Sequence, residues 1–284
     1  MTAQTDRTRV LLLHGLWHGS WCWSEVTAGL AAAGRGVLAV DMAGHGLRVP
    51  RPTCLSRRPF DPADMATELS PVHGVDLDEA GGLLVSQMAA LGGGAPVTVV
   101  AHSMGGAVLT RAAQLAPELV AHAVYLAAYM PASNVPAVAY VGMPENEGEL
   151  MGSMLRADPA TVGAMRLDLA SSDPTYRERL REALYGDVAP AVAEAAAGLM
   201  SPDAPAGVAL GVTTLTREGW GSVPRSYVVC TRDMALRPAL QRKFVADADA
   251  AFPDNPTAVT SIDSSHSPFL SMPERVVKIL LRLA

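Results

Sequence analysis

Apolar residues recur along this chain in two rhythms. Short runs rich in Val, Leu, Ile, Ala and Tyr occupy residues 9–14, 36–40, 97–101, 120–129, 224–230 and 257–262. A run that short reads as a strand buried on both faces, the kind found in a covered parallel sheet. Between the runs lie stretches whose apolar positions fall three and four apart: residues 21–33, stopped by Gly34 as a C-cap, then 77–91, broken by Gly92 to Gly94, then 105–115 and 273–283. That spacing gathers apolar side chains on one face of a helix. Strands alternating with helices predict an α/β fold, a mostly parallel central sheet of about six strands flanked by helices.

The alternation fails twice. Residues 42–76 hold several prolines and the pair Arg57-Arg58, with no clear periodicity. A connection that long is either an ordered excursion near a site or a mobile one. From Pro131 to about Gly221 no good strand appears, only helical stretches near 159–169, 175–185 and 190–200. We read residues 131–221 as an inserted helical cap, with 1–130 and 222–284 forming the core.

Composition narrows the function classes. A chain of 284 residues can bury one large core. The net charge is −6, without like-charge blocks or Lys/Arg clusters, so neither nucleic acid nor a membrane surface is an expected partner. Lysine occurs only at Lys243 and Lys278, and the wealth of Arg, Ala and Gly suggests a GC-rich bacterial genome. Cys22, Cys54 and Cys230 are an odd count with no zinc or disulfide spacing, which reads as reduced, buried thiols in a cytoplasmic protein. Residues 1–9 are polar and carry no signal-peptide pattern, and the run 10–13 is far short of the roughly 20 residues of a membrane span.

Chemistry concentrates at the ends of the strand-like runs. In Val99-Val100-Ala101-His102-Ser103-Met104-Gly105-Gly106 a strand passes directly into a helix with a serine at the turn. Small residues two before and two after it, Ala101 and Gly105, allow strand and helix to approach closely. A helix N-cap serine is the plainer reading of such a turn. The strand before and helix after favour instead the nucleophile elbow of α/β-hydrolases, with Ala101 in place of the usual first glycine. In that fold the oxyanion hole takes one N–H from the residue after the nucleophile and one from the loop after the first core strand. These would be Met104 and Leu16, the latter in His14-Gly15-Leu16-Trp17-His18-Gly19-Ser20-Trp21. His14 is expected to tie that loop down, and His18 to line the pocket or pack structurally.

The fold orders its triad as serine, acid, histidine. Asp233 follows the run Tyr227-Val228-Val229-Cys230, so it would stand on the same rim as the elbow. His266 follows the last strand and is the only histidine after His122. Ser103 is thus the expected nucleophile, His266 the general base and Asp233 the acid that orients it. Asp263, close to His266 in the chain, is the competing acid and reads more readily as a loop-shaping residue. His45 falls beside the expected site mouth, and His102 should point away from the nucleophile.

Together these segments resemble the α/β-hydrolases. More narrowly they resemble the plant-type methyl esterases and hydroxynitrile lyases with their bacterial relatives, through the tryptophan-rich loop 14–23, Ala101 to Gly106, Ala127-Ala128-Tyr129-Met130-Pro131, Cys230-Thr231-Arg232-Asp233, and His266 followed by Pro268-Phe269-Leu270. The resemblance implies hydrolysis of a small carboxylic ester through an acyl-serine, with no cofactor and no metal, and a homodimer as the assembly to look for. It also offers cyanohydrin cleavage, but the plant lyases carry a lysine directly after the histidine and here stands Ser267. Other non-hydrolytic tailoring chemistry and non-catalytic ligand binding are the remaining alternatives. Trp17, Met130 and Trp220, with Met151 and Met154, are the expected pocket walls, giving an apolar pocket suited to a small hydrophobic ester.

Overall fold

The computed structural model describes residues 9–47 and 49–283. The polar stretch 1–8, read above for targeting signals, lies outside the described residues. Elements in the first half are β1 (Val10–Leu13), α1 (Ser24–Ala32), β2 (Val37–Val40), α2 (Pro62–Thr67), α3 (Leu77–Gly92), β3 (Val97–Ser103), α4 (Gly105–Leu115) and β4 (Val120–Ala128). The second half contributes α5 (Pro159–Val162), β5 (Ala164–Arg166), α6 (Pro174–Tyr185), α7 (Pro190–Leu199), β6 (Asp203–Pro205), α8 (Ala206–Leu210), β7 (Arg225–Cys230), α9 (Pro238–Ala251), β8 (Ala258–Ile262), α10 (Pro268–Ser271) and α11 (Pro273–Leu283).

Six strands form one sheet in the order β2-β1-β3-β4-β7-β8, every neighbouring pair parallel. The period-two alternation of strands sorts the apolar runs into two cores. Leu11, Leu13, Val99, Ala101, Tyr125, Tyr227 and Val229 face one side, packed with residues of α3, α4 and α9. Val10, Leu12, Val100, Val124, Val228 and Ile262 face the other, packed with α1 and α11. Both faces are covered over the inner strands β1, β3, β4 and β7, which therefore read as largely apolar runs, whereas the edge strands β2 and β8 are partly exposed.

The strand order creates the crevice. From β1 the chain moves outward to β2, and from β3 it moves the opposite way to β4. The helices that follow, α1 and α4, therefore pack on opposite faces of the sheet, as their core partners record. Where successive connections diverge at the C-terminal ends of parallel strands, a cleft opens between the loops. Here it lies between the loop after β1 and the turn after β3.

One expectation is corrected, one helix is added and one alternative is decided. Residues 159–169 were expected as one helix, but α5 stops at Gly163, which has φ 72°, and the chain turns into the short strand β5, paired antiparallel with β6. A glycine in the left-handed region ends a helix readily because it has no Cβ to clash. The helix α9 was not anticipated, although Leu240, Phe244 and Ala248 mark its buried face. Of the stretch 42–76, the described residues 49–76 form an ordered excursion carrying α2. Arg166 donates to the carbonyls of Met65 and Glu68 at 2.8 and 2.9 Å and pairs with Asp203 in a two-bond fork, both bonds 2.8 Å. No helix among the described residues is long and apolar enough to cross a membrane.

Candidate active site

Ser103 is the last residue of β3 and has φ 53°, in the left-handed region that a non-glycine residue avoids. The strain is held by close packing around the turn. A Cβ on Gly105 would stand 2.4 Å from the carbonyl oxygen of His14, and one on Gly15 would stand 2.5 Å from Cβ of Ser103. Only glycine lets the β1 loop, the serine and the first turn of α4 meet. Ser103 thus sits at the N-terminal end of an 11-residue helix, where unpaired backbone N–H groups and the dipole favour negative charge.

His266, in the loop after β8, and Ser103 both line one cavity of about 350 Å³. His266 Nδ1 lies 2.8 Å from Oδ2 of Asp233. A carboxylate only accepts, so Nδ1 carries the hydrogen and donates it. The carboxylate is itself fully occupied. Its Oδ1 accepts from the N–H groups of Ala235 and Leu236, both at 2.8 Å, and its Oδ2 also accepts from Gln241 Nε2 at 3.1 Å. Gln241 of α9, completely buried, further bonds Leu236 O at 2.7 Å and Cys230 N at 3.0 Å, so it locks the turn that carries Asp233. Gln241 was not anticipated from sequence. The signal was its place on the buried face of α9 with Phe244 and Ala248, at helical spacing. Asp263 is exposed and pairs with Arg232 at 2.8 Å, away from His266.

Leu16, Met104 and Trp17 line the same cavity beside Ser103. The loop that carries Leu16 and Trp17 is fixed by two histidines. His14 Nε2 accepts from Met42 N at 3.0 Å, and its Nδ1–H donates to Gly15 O at 2.6 Å. His45 Nε2 accepts from Trp17 N at 3.1 Å, and its Nδ1–H donates to Ala43 O at 3.1 Å. His18 donates from Nδ1 to Leu16 O at 3.0 Å and accepts at Nε2 from Tyr185 Oη at 2.8 Å. His102 turns away from the cavity and donates from Nε2 to His266 O at 2.9 Å, leaving Nδ1 unpartnered. Each of the four rings therefore uses one nitrogen as donor and keeps the other unprotonated. Burial pushes His14 and His102 well below the usual imidazole range, and takes His18 and His45 down to about 4.

The segment between β4 and β7 supplies much of the cavity wall, including Met151, Leu155, Met165, Leu184 and Leu210. It is also bonded to the loops that carry Trp17 and His266. Trp17 Nε1 donates to Met165 O at 2.8 Å, and Ser201 N donates to Trp17 O at 2.8 Å. Asp187, after α6, accepts from Ser265 N at 3.1 Å and from the Ser265 hydroxyl, immediately before His266.

Met130, Met154 and Trp220 are not in the wall, a correction to the sequence reading. Trp220 is buried at the other end of the sheet. It precedes β7, so the chain there enters the sheet at its N-terminal edge, while Ser103 stands at the C-terminal edge of β3. Its Nε1 donates to Tyr125 Oη at 2.7 Å, and the Arg225 guanidinium stacks 4.2 Å over its ring. The wall takes Tyr129 rather than its neighbour Met130. Among the described residues, no group of three or more His, Cys, Asp or Glu stands together as a metal site.

Comparison with known proteins agrees with this geometry. A family model described as "Alpha/beta hydrolase family" matches residues 10–279. Methylesterase 7 of Arabidopsis thaliana is 29% identical, over 99% of this chain and 98% of its own length. Methyl jasmonate esterase 1 of Vitis vinifera is 29% identical, over 93% of this chain and 91% of its own. The crystal structure of a pyrethroid hydrolase from Sphingobium faniae superposes with a TM-score of 0.71 at 26% identity, covering 97% of this chain and 96% of its own.

Proposed function

The chain belongs to the alpha/beta hydrolase family, and we propose that it is a carboxylic ester hydrolase acting through Ser103. The observation that carries this reading is the 2.8 Å bond from His266 Nδ1 to a fully occupied Asp233 carboxylate, beside a serine held at φ 53° in the wall of the same apolar cavity. With Nδ1 committed to Asp233, Nε2 is free to act as base. It removes the Ser103 proton as Oγ attacks the ester carbonyl, and the Asp233 charge stabilises the imidazolium that results. The N–H groups of Leu16 and Met104 take up the oxyanion, each worth about 3 kcal/mol of barrier. The imidazolium gives its proton to the departing alcohol. Water, deprotonated by the same nitrogen, then releases the acid from the acyl-serine.

Residues 131–221 act in this reading as a cap that sets substrate size. Similarity to two plant proteins named for methyl ester and methyl jasmonate hydrolysis, and to a pyrethroid hydrolase, supports a small-molecule ester as substrate. The test is hydrolysis of short-chain nitrophenyl and methyl esters by wild type and Ser103→Ala. Loss of at least a thousandfold in kcat/KM is expected for the variant. Equal rates would remove Ser103 from the mechanism, and cyanide release from mandelonitrile without ester turnover would replace hydrolysis by lyase chemistry.

A further inference from the structure

The cavity around Ser103 is almost wholly apolar, and what polar groups it has are unbalanced. Its wall includes Glu149, half-buried, and Asp158, exposed and capping α5, and no lysine or arginine. It also holds Tyr129, whose ring is 8% exposed and packs on Phe244 with ring centres 5.7 Å apart. Tyr129 follows β4 and its backbone N–H donates to Ser103 O at 2.9 Å, so this residue is fixed directly beside the elbow. Its hydroxyl makes no hydrogen bond to another described residue, whereas those of the fully buried Tyr185 and Tyr227 each do. A buried phenol normally finds a partner. This one faces the cavity, where only a ligand or water can supply it.

We propose that Tyr129 is a specificity-determining hydrogen-bond donor, and that the substrate is an uncharged ester bearing a second, hydrogen-bond-accepting oxygen such as a ketone or ether. The donor selects for the acceptor, because an apolar analogue leaves the phenol unpaired. Glu149, whose charge acts on the Tyr129 phenol, disfavours a carboxylate at the same place, since like charges repel and no lysine or arginine lines the cavity. This inference rests on the ester-hydrolase reading for its substrate class, but binding can be measured without turnover.

The experiment uses matched pairs of neutral esters that differ only by one keto group, in the acyl half (methyl hexanoate and methyl 5-oxohexanoate) and in the alkoxy half (propyl butanoate and 2-oxopropyl butanoate), with monomethyl adipate as the anionic probe. Wild type should prefer the keto ester of at least one pair by about three- to tenfold in kcat/KM, and Tyr129→Phe should reduce that ratio to near one. A purely structural role would lower both members of a pair together and leave the ratio standing. The adipate monoester should be at least tenfold poorer than methyl hexanoate, and Glu149→Gln should recover part of the difference. The same keto preference should appear as a ratio of Kd values in Ser103→Ala, and vanish in Ser103→Ala combined with Tyr129→Phe. An unchanged ratio on removing the phenol, or no preference in either pair, overturns the proposal. Loss of all ester turnover with the binding preference intact would instead overturn only the hydrolase reading.

Discussion

Four neutral histidines packed beneath the cavity make acid the most informative perturbation of this protein. His14, His18, His45 and His102 are each nearly or wholly buried, and each has one ring nitrogen committed as a donor and the other kept proton-free. Protonation sets an N–H against a backbone N–H donor at His14 and His45, buries an unpaired N–H at His102, and at His18 buries the charge while the Tyr185 hydroxyl turns to accept. The folded protein therefore holds His18 and His45 neutral down to about pH 4, and burial holds His14 and His102 well below the usual imidazole range as well. In the unfolded chain the same rings gain protons near pH 6.5. Because the folded values are depressed, stability is whole above pH 6.5 and is lost as pH falls below it. The limiting slope is about 1.4 kcal/mol per pH unit for each ring, so from pH 7 to pH 5.5 each costs about 1.2 kcal/mol and the four about 5. That is a large share of the roughly 5–15 kcal/mol by which a domain is stable. Urea unfolding at pH 7.0, 6.25 and 5.5 measures it, in a range where carboxylates hardly titrate. Unfolding at pH 5.5 should also take up close to one proton per ring. His45→Gln, whose amide oxygen can still accept from Trp17 N, should remove about a quarter of the pH dependence. A total loss of about 1 kcal/mol or less, no more than one ring's share, would refute the picture of four rings locked neutral.

Other substitutions probe the site itself. Asp233→Asn keeps an acceptor for Ala235 and Leu236 but cannot hold the His266 tautomer, so kcat/KM on nitrophenyl acetate should fall by about 10³–10⁴ with the fold intact by circular dichroism. Gly105→Ala puts a methyl group 2.4 Å from the His14 carbonyl oxygen, and the displaced elbow should cost about 10² or more in kcat/KM. Gln241→Leu strips Cys230 N and Leu236 O of their partner and should lower the unfolding free energy by about 2–3 kcal/mol, read as a shifted urea midpoint. Trp220→Phe loses the bond to Tyr125 and should cost about 1 kcal/mol while leaving KM for esters alone; a changed KM would return Trp220 to the pocket.

The parts of this protein visible in its sequence are those where one local pattern decides the outcome. Runs rich in apolar residues became the six strands because both faces of the sheet are covered over its inner strands, and the strand–serine–helix turn became the elbow because Gly15 and Gly105 permit no other residue there. Pairing across long separations was less visible. Gln241 looks like any helical glutamine until the turn carrying Asp233 folds against it. The helix α9 was hidden by charges at Arg242, Lys243, Asp247 and Asp249 between its apolar positions. Trp220 and Met130 attracted a pocket role as large apolar residues flanking the insertion. Which end of a strand a residue occupies decides that role, and for Trp220 the connection runs to the far edge of the sheet. Tyr129 was in view as part of a motif, but its missing hydrogen-bond partner is a fact of three dimensions.

Trp17 and Asp187 tie the roof over the cavity to the β1 loop and to the turn before His266. Lifting that roof would strain both anchorages at once, pulling on the serine's two flanking loops as water entered. Shelter and reactivity are thus mechanically one property of this molecule: a conformation open enough to flood is also one whose working parts have come loose.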